Sequence, residues 1–192
     1  MTEATFHILG IPGSLRAGSY NRALLRAAAE VLPPGVSLDI FTLEGIPPYN
    51  ADLQSQGDPA PVEELKQRLV SADAVLIATP EYNYSIPGVL KNAIDWASRP
   101  PKTCGFRKTP VGIIGASSGG SGTMRGQLAI RQVFVFLDSY VMAQPELRVT
   151  NAGRRFDESG VLIDAELRER LRAYIVALVD WARLVRGSQG QK

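Results

Sequence analysis

Short apolar runs alternate with helical patterns along almost the whole chain. Residues 5–11, 74–79 and 111–116 are nearly continuous apolar stretches, and each leads through a turn into a segment of helical composition. A strand that is apolar at every position, rather than at alternate ones, must be covered on both faces. That happens in a parallel sheet packed between two layers of helices. The other segments fit the same alternation. Residues 21–32, rich in Ala, Leu and Arg, read as a helix stopped by Pro33-Pro34-Gly35, and 36–41 as a second strand. Residues 44–61, with Pro47, Pro48, Pro59 and Pro61, read as an irregular surface excursion. Residues 61–71 and 87–97 read as helices, the second with Pro87 in its first turn. A long helix over 122–139 contains the unbroken run Val133-Phe134-Val135-Phe136-Leu137, which local sequence alone equally allows as a strand. Residues 140–149 supply a fifth strand, 164–185 an amphipathic closing helix, and 187–192 a polar tail. The expectation is one domain over 1–186, a doubly wound five-stranded parallel sheet in a three-layer α/β/α arrangement, without repeats.

Charge and composition narrow the partners. The formal net charge is +2 and the basic residues are scattered, so no basic stripe offers itself to nucleic acid and none is expected as a partner. No apolar run approaches the ~20 residues that cross a bilayer. Residues 1–6 lack a positively charged segment leading into an apolar core. Cys104 is the single cysteine, which rules out an intrachain disulfide and fits a reducing compartment. A cytoplasmic protein with no membrane partner is expected.

Three loops stand where strands hand over to helices. Gly13-Ser14-Leu15-Arg16-Ala17-Gly18-Ser19-Tyr20-Asn21 follows the first strand and offers hydroxyls, a guanidinium and loop amides at a helix start, where anions are attracted. A phosphate monoester carries close to two negative charges and can be held by such donors without a metal. The loop lacks the Gly-Lys-Ser/Thr ending of a P-loop and the Gly-x-Gly-x-x-Gly spacing of a dinucleotide loop, so nucleotide hydrolysis and dinucleotide binding of the Gly-x-Gly-x-x-Gly type are disfavoured. A plain helix-capping loop, with Ser19 or Asn21 as the cap, is the alternative. Pro80-Glu81-Tyr82-Asn83-Tyr84-Ser85-Ile86-Pro87-Gly88 follows the third strand and offers backbone amides and an aromatic ring to a flat heterocycle. Ser117-Ser118-Gly119-Gly120-Ser121-Gly122 follows the fourth. In a doubly wound sheet these strand ends lie side by side.

The run from Pro80 through Pro87-Gly88-Val89-Leu90-Lys91-Asn92-Ala93-Ile94-Asp95-Trp96 resembles the NADPH-dependent FMN reductase family, which includes bacterial quinone, azo-dye and chromate reductases. The loop Gly13-Ser14-Leu15-Arg16 with Ser19 and Asn21, and the Ser117–Gly122 loop followed by Arg125, resemble the same family. The resemblance implies a flavodoxin-like fold, bound FMN, and NADPH or NADH as co-substrate. It implies that Ser14, Arg16, Ser19, Tyr20 and Asn21 hold the phosphate and the start of the ribityl chain, with Leu15 contributing backbone. Pro80, Glu81, Tyr82 and Asn83 would line the flavin ring, and Ser117, Gly119 and Gly120 would close the opposite side. Tyr84 fits flavin contact or ordinary aromatic packing. Glu81 fits a ring neighbour or an ion-pair partner, with Arg125 the available cation. Homodimers or homotetramers are implied as well, and the apolar excess of the long helix points the same way.

No nucleophile elbow, metal cluster or paired histidines are present, so no catalytic side chain and no metal are assigned. A flavin carries the electronics itself, and the protein positions it. His7, early in the first strand, and Cys104 are read as structural and incidental. The expected activity is ping-pong hydride transfer from NAD(P)H through FMN to small-molecule electron acceptors of quinone, azo or chromate type, or to free flavin. The rival readings are a flavodoxin-like electron carrier without nicotinamide turnover, and a flavin-free binding protein that keeps the fold.

Overall fold

The computed structural model describes residues 6–187. Its strands are β1 (Phe6–Pro12), β2 (Val36–Ile40), β3 (Ala74–Ala78), β4 (Pro110–Ala116), β5 (Tyr140–Val141) and β6 (Leu147–Val149), all parallel. The order is β2-β1-β3-β4, with β5 and β6 both paired to β4. Every residue of β3 and β4 is buried, as the continuous apolar runs require.

The helices are α1 (Tyr20–Ala29), α2 (Ala51–Ser55), α3 (Ala60–Ser71), α4 (Gly88–Ala97), α5 (Met124–Phe136) and α6 (Ala165–Gly187). α1 and α6 cover one face of the sheet, burying Leu24, Leu25, Leu171, Ile175 and Leu178 against Ile8, Leu76 and Ile114. α3, α4 and α5 cover the other, with Leu65, Leu90, Ile130 and Phe134 against Ile11, Ile77 and Ile113. The three-layer expectation holds. Among the described residues, no helix is long and apolar enough to cross a membrane.

Two elements differ from the sequence reading. The fifth strand is split: Tyr140–Val141 pairs with Pro110–Val111, and Leu147–Val149 pairs with Ile114–Ala116. Pro145 lies between them, and a residue without an N–H cannot serve as a donor in the middle of a ladder. The proline-rich excursion also contains the short helix α2, whose first turn is capped by Asn50 Oδ1 accepting from Asp52 N–H at 2.8 Å. The ambiguous run 133–137 is helical through Phe136. Phe134 faces the core while Val135 and Phe136 point outward, which explains why an apolar run without a break can still be helix. Of the expected polar tail, Gly187 is the last residue of α6 and 188–192 lie outside the described residues.

β1 has β2 on one side and β3 on the other, so the chain order reverses across it and a crevice opens at the carboxyl ends of β1 and β3. Close backbone packing shapes this end. A Cβ at Gly115 would fall onto Thr123 Oγ1 and the Thr79 carbonyl, and one at Gly13 would meet Leu90, Pro80 and Thr79 within 3.3 Å. At mid-sheet Tyr174, from α6, accepts from Ile113 N–H at 2.7 Å and donates to Ile113 C=O at 2.9 Å. Burial pushes its phenol pKa well up, so it stays a neutral donor.

Candidate functional site

The crevice of about 200 Å³ is lined by Ser14, Arg16, Ser19, Tyr20, Asn21, Pro80, Glu81, Tyr82, Ala116, Ser117 and Ser118. The three loops singled out in the sequence therefore meet. Leu15, Asn83, Gly119 and Gly120 are outside this lining; Asn83 is at an exposed loop tip and Gly120 lines an adjoining groove with Arg148 and Arg170. Ala116 and Ser118 were missed. The strand-end position of Ala116 was a signal for it, and Ser118 was within the loop already marked.

Three serine hydroxyls share one arrangement. Ser14 Oγ accepts from Arg16 N–H at 3.3 Å, Ser19 Oγ accepts from Asn21 N–H at 3.2 Å as the N-cap of α1, and Ser117 Oγ accepts from Gly119 N–H at 3.1 Å. A hydroxyl fixed as acceptor from its own backbone keeps its O–H free to donate. The guanidinium of Arg16 makes no ion pair or hydrogen bond among the described residues. The N–H groups of Leu15, Glu81 and Asn83 are likewise unengaged among them. This donor set suits a phosphate followed by a polar chain.

Asn21 is committed elsewhere. Its Nδ2 donates to Ala116 C=O at 3.0 Å and its Oδ1 accepts from Ala116 N–H at 2.9 Å, tying the start of α1 to the end of β4. Tyr20 is half-buried against Phe156 at 5.8 Å between ring centroids. Pro80 has no N–H, and its carbonyl accepts from Thr79 Oγ1 at 2.8 Å.

The loop after β3 folds as a tight hairpin. Tyr82 and Ser85 exchange two backbone hydrogen bonds of 2.9 Å, and the two residues between them, Asn83 and Tyr84, have φ of 51° and 67°. A two-residue turn with positive φ at both central positions suits Asn and is disfavoured by a bulky aromatic such as Tyr84. Glu81, its side chain only 9% exposed, turns away from the crevice toward α5. Its Oε2 accepts from Arg125 N–H at 2.8 Å and Gly126 N–H at 3.0 Å, and its Oε1 lies 3.3 Å from Arg125 Nη1. Burial alone would push this carboxyl up, but the Gly126 N–H and the Arg125 guanidinium and N–H outweigh it and hold it below the ordinary 4.5. The Arg125 guanidinium in turn lies 3.9 Å from the centroid of the Tyr84 ring.

Around the site, the polar side chains of α4 are engaged in structural contacts. Asn92 Nδ2 and Trp96 Nε1 both donate to Pro47 C=O at 2.8 Å, holding the proline-rich segment, and Lys91 pairs with Asp95 at 2.8 Å. His7 bonds Ser37 at the opposite end of the sheet. Cys104 lines a larger cavity of about 540 Å³ on the outer side of α4 and α5, together with Ile94, Val133, Phe136 and Leu137. That cavity shares no lining residue with the crevice at the strand ends. Among the described residues, no group of His, Cys, Asp and Glu is placed to hold a metal ion.

Comparison with known proteins bears on this geometry. The family model described as NADPH-dependent FMN reductase matches residues 6–154. An NAD(P)H-dependent FMN reductase from Pseudomonas aeruginosa is 48% identical over 180 residues, covering 94% of this chain and 97% of the relative. An NAD(P)H:quinone oxidoreductase from Solanum tuberosum is 42% identical over 191 residues, covering 96% and 97%. Among solved structures, FerB, a flavoenzyme NAD(P)H:(acceptor) oxidoreductase from Paracoccus denitrificans, superposes with a TM-score of 0.85 at 31% identity, covering 93% of this chain and 98% of that one.

Proposed function

The chain belongs to the NADPH-dependent FMN reductase family, and from that premise we propose that it is an NAD(P)H-dependent oxidoreductase that holds FMN at the ends of β1, β3 and β4 and reduces small-molecule acceptors of the quinone class. The observation that carries this reading is the convergence of four unengaged donors, the hydroxyls of Ser14, Ser19 and Ser117 and the guanidinium of Arg16, on one crevice. The one carboxylate lining that crevice, Glu81, is turned onto α5, so no free negative charge opposes a phosphate there.

Bound FMN would supply the redox chemistry, taking a hydride from a reduced nicotinamide and delivering it to the acceptor. The protein's own part is to bind and orient. Ser14, Arg16, Ser19 and the Leu15 N–H hold the phosphate, and Tyr20 and Ser117 flank the ribityl chain. The unengaged N–H groups of Glu81 and Asn83 would be the donors available to the pyrimidine edge, where fixed dipoles favour negative charge. Gly119 and Gly120 leave the far side low. Asn21 acts at one remove, by fixing the helix start that carries Ser19. A crevice of about 200 Å³ falls below the ~300–1,000 Å³ of sites that enclose their ligand, so a bound ring system would remain open to solvent on one side. Two substrates could then use that open side in turn, the proton that accompanies each hydride being drawn from solvent.

A second copy of this chain is the proposed partner of α5. Leu128, Val135 and Phe136 form one outward stripe, with Val135 80% and Phe136 89% exposed, beside the cavity lined by Ile94, Val133 and Leu137. Its rim carries both signs, Lys91 and Arg107 with Asp95 and Asp138, so a two-fold axis can set plus against minus. A cytoplasmic setting is proposed on the single cysteine.

The test is anaerobic. Protein loaded with FMN should bleach on adding NADPH or NADH and recover its colour on adding a benzoquinone, and crossed initial rates should give parallel double-reciprocal lines. A protein that takes up no FMN overturns the reading; intersecting lines overturn the alternating use of one open side.

A further inference from the structure

We infer that Glu81 is a positioning residue for the flavin-ring loop, locking the 80–85 hairpin onto the first turn of α5 rather than contacting the cofactor with its carboxylate. The inference rests on the proposed FMN site and assigns Glu81 a part within it.

Three observations meet at this carboxylate. First, the first turn of a helix leaves backbone N–H groups without intrahelical partners, and Glu81 satisfies those of Arg125 and Gly126 from a different loop. Thr123, at the position where a capping side chain would act, makes no cap hydrogen bond, so the cap of α5 is delivered from the β3 loop. Second, the fit is close: a Cβ at Gly126 would stand 3.3 Å from Ser85 C=O and 3.4 Å from Glu81 Cα and Cβ, so the hairpin backbone rests directly on the helix. Third, the hairpin carries Tyr84 at φ 67°, a conformation that bulky side chains disfavour. The Arg125 guanidinium lies over that ring while bonding Glu81, closing a ring of contacts from carboxylate to cation to aromatic face.

The consequence is geometric. The N–H groups of Glu81 and Asn83, the donors offered to the pyrimidine edge, lie on a segment that among the described residues is fastened internally by the Tyr82–Ser85 bond pair alone. Without the carboxylate the hairpin is free to leave its seat on α5. The donors then lose their direction while the phosphate loop, built on Ser14, Arg16 and Ser19, keeps its own.

The experiment compares Glu81→Gln, Glu81→Asp and Arg16→Ala with the native chain. Amide hydrogen exchange on the flavin-free protein should quicken at Tyr82, Ser85, Arg125 and Gly126 in Glu81→Gln and stay native in Arg16→Ala. FMN affinity, followed by quenching of flavin fluorescence, should weaken roughly tenfold in Glu81→Gln, the visible absorption envelope of the bound flavin should shift, and Glu81→Asp should recover part of both. Native exchange at those four amides in Glu81→Gln overturns the lock, whether or not the protein binds FMN. Altered exchange with native affinity and spectrum overturns the positioning role. Failure of the native chain to bind FMN overturns the parent reading and leaves the exchange result to decide the lock.

Discussion

The side-chain amide of Asn21 pairs in both directions with the backbone of Ala116, donating at 3.0 Å and accepting at 2.9 Å across 95 residues of chain. It is the peg that sets the first turn of α1, and with it Ser19, against the end of β4. Asn21→Ala leaves a buried N–H and C=O without partners, each costing about 1–3 kcal/mol. A loss of about 3 kcal/mol is expected, which for a domain of this size lowers the melting temperature by roughly 6–12 °C. Denaturant unfolding of the flavin-free variant measures it; a native midpoint would show that the pair contributes nothing to stability.

Arg16 stands apart from the fold. It is exposed and its guanidinium is unpaired among the described residues, so Arg16→Ala should leave melting unchanged. Losing a charge-assisted contact to phosphate, about 1.5–3 kcal/mol, should weaken FMN roughly 10- to 100-fold. Arg16→Lys keeps the charge without the planar fork and should fall between. Equal affinity in native and Ala variants would remove Arg16 from the phosphate site.

One source of acid sensitivity lies at the start of α6. Asp164 Oδ1 accepts from Leu167 N–H at 2.8 Å and the same carboxylate pairs with Arg155, and both hold its pKa below the ordinary 3.8. A carboxyl with a lowered folded pKa contributes stability above its unfolded value and loses it as pH falls through the folded one. Asp164→Asn keeps a competent cap. Native chain and variant should differ most above about pH 4 and converge below the folded pKa. Melting temperatures followed from neutral to acid pH check this, and a constant offset would mean the charge is irrelevant.

What the sequence revealed and what it hid divide along range of interaction. The strands were legible because β3 and β4 are buried on both faces and so apolar at every position. That Ser14, Arg16 and Ser19 line one crevice was legible because they stand within a few residues of one another at a strand end. The Glu81–Arg125 pair was one of the two readings open for Glu81, and the structure shows it within the chain; the hold of Asn21 on Ala116 and of Glu81 on the Gly126 N–H was not legible, since those partners lie 95 and 45 positions away. The split of the fifth strand was written in Pro145, whose missing donor forbids a continuous ladder. Val135 and Phe136 were visible as apolar, but which side of α5 they occupy depends on Phe134 finding the core first.

That outward pair yields the last prediction. Phe136 is 89% exposed next to a cavity floored by Ile94, Val133 and Leu137, an arrangement in which each of two copies can present a ring and a recess to the other. Fully burying a Phe contributes about 1.5–3 kcal/mol, and a two-fold axis doubles it. Phe136→Glu replaces both rings by carboxylates facing apolar walls, which costs desolvation on each side. Sedimentation at micromolar concentration should show the native chain above 20.8 kDa and the variant at 20.8 kDa. FMN affinity should survive if the crevice is built within one chain, because Phe136 is at the carboxyl end of α5 while Glu81 holds its amino end. A native chain that sediments at 20.8 kDa would leave the stripe without a second copy, and a variant that stays large would place the contact elsewhere.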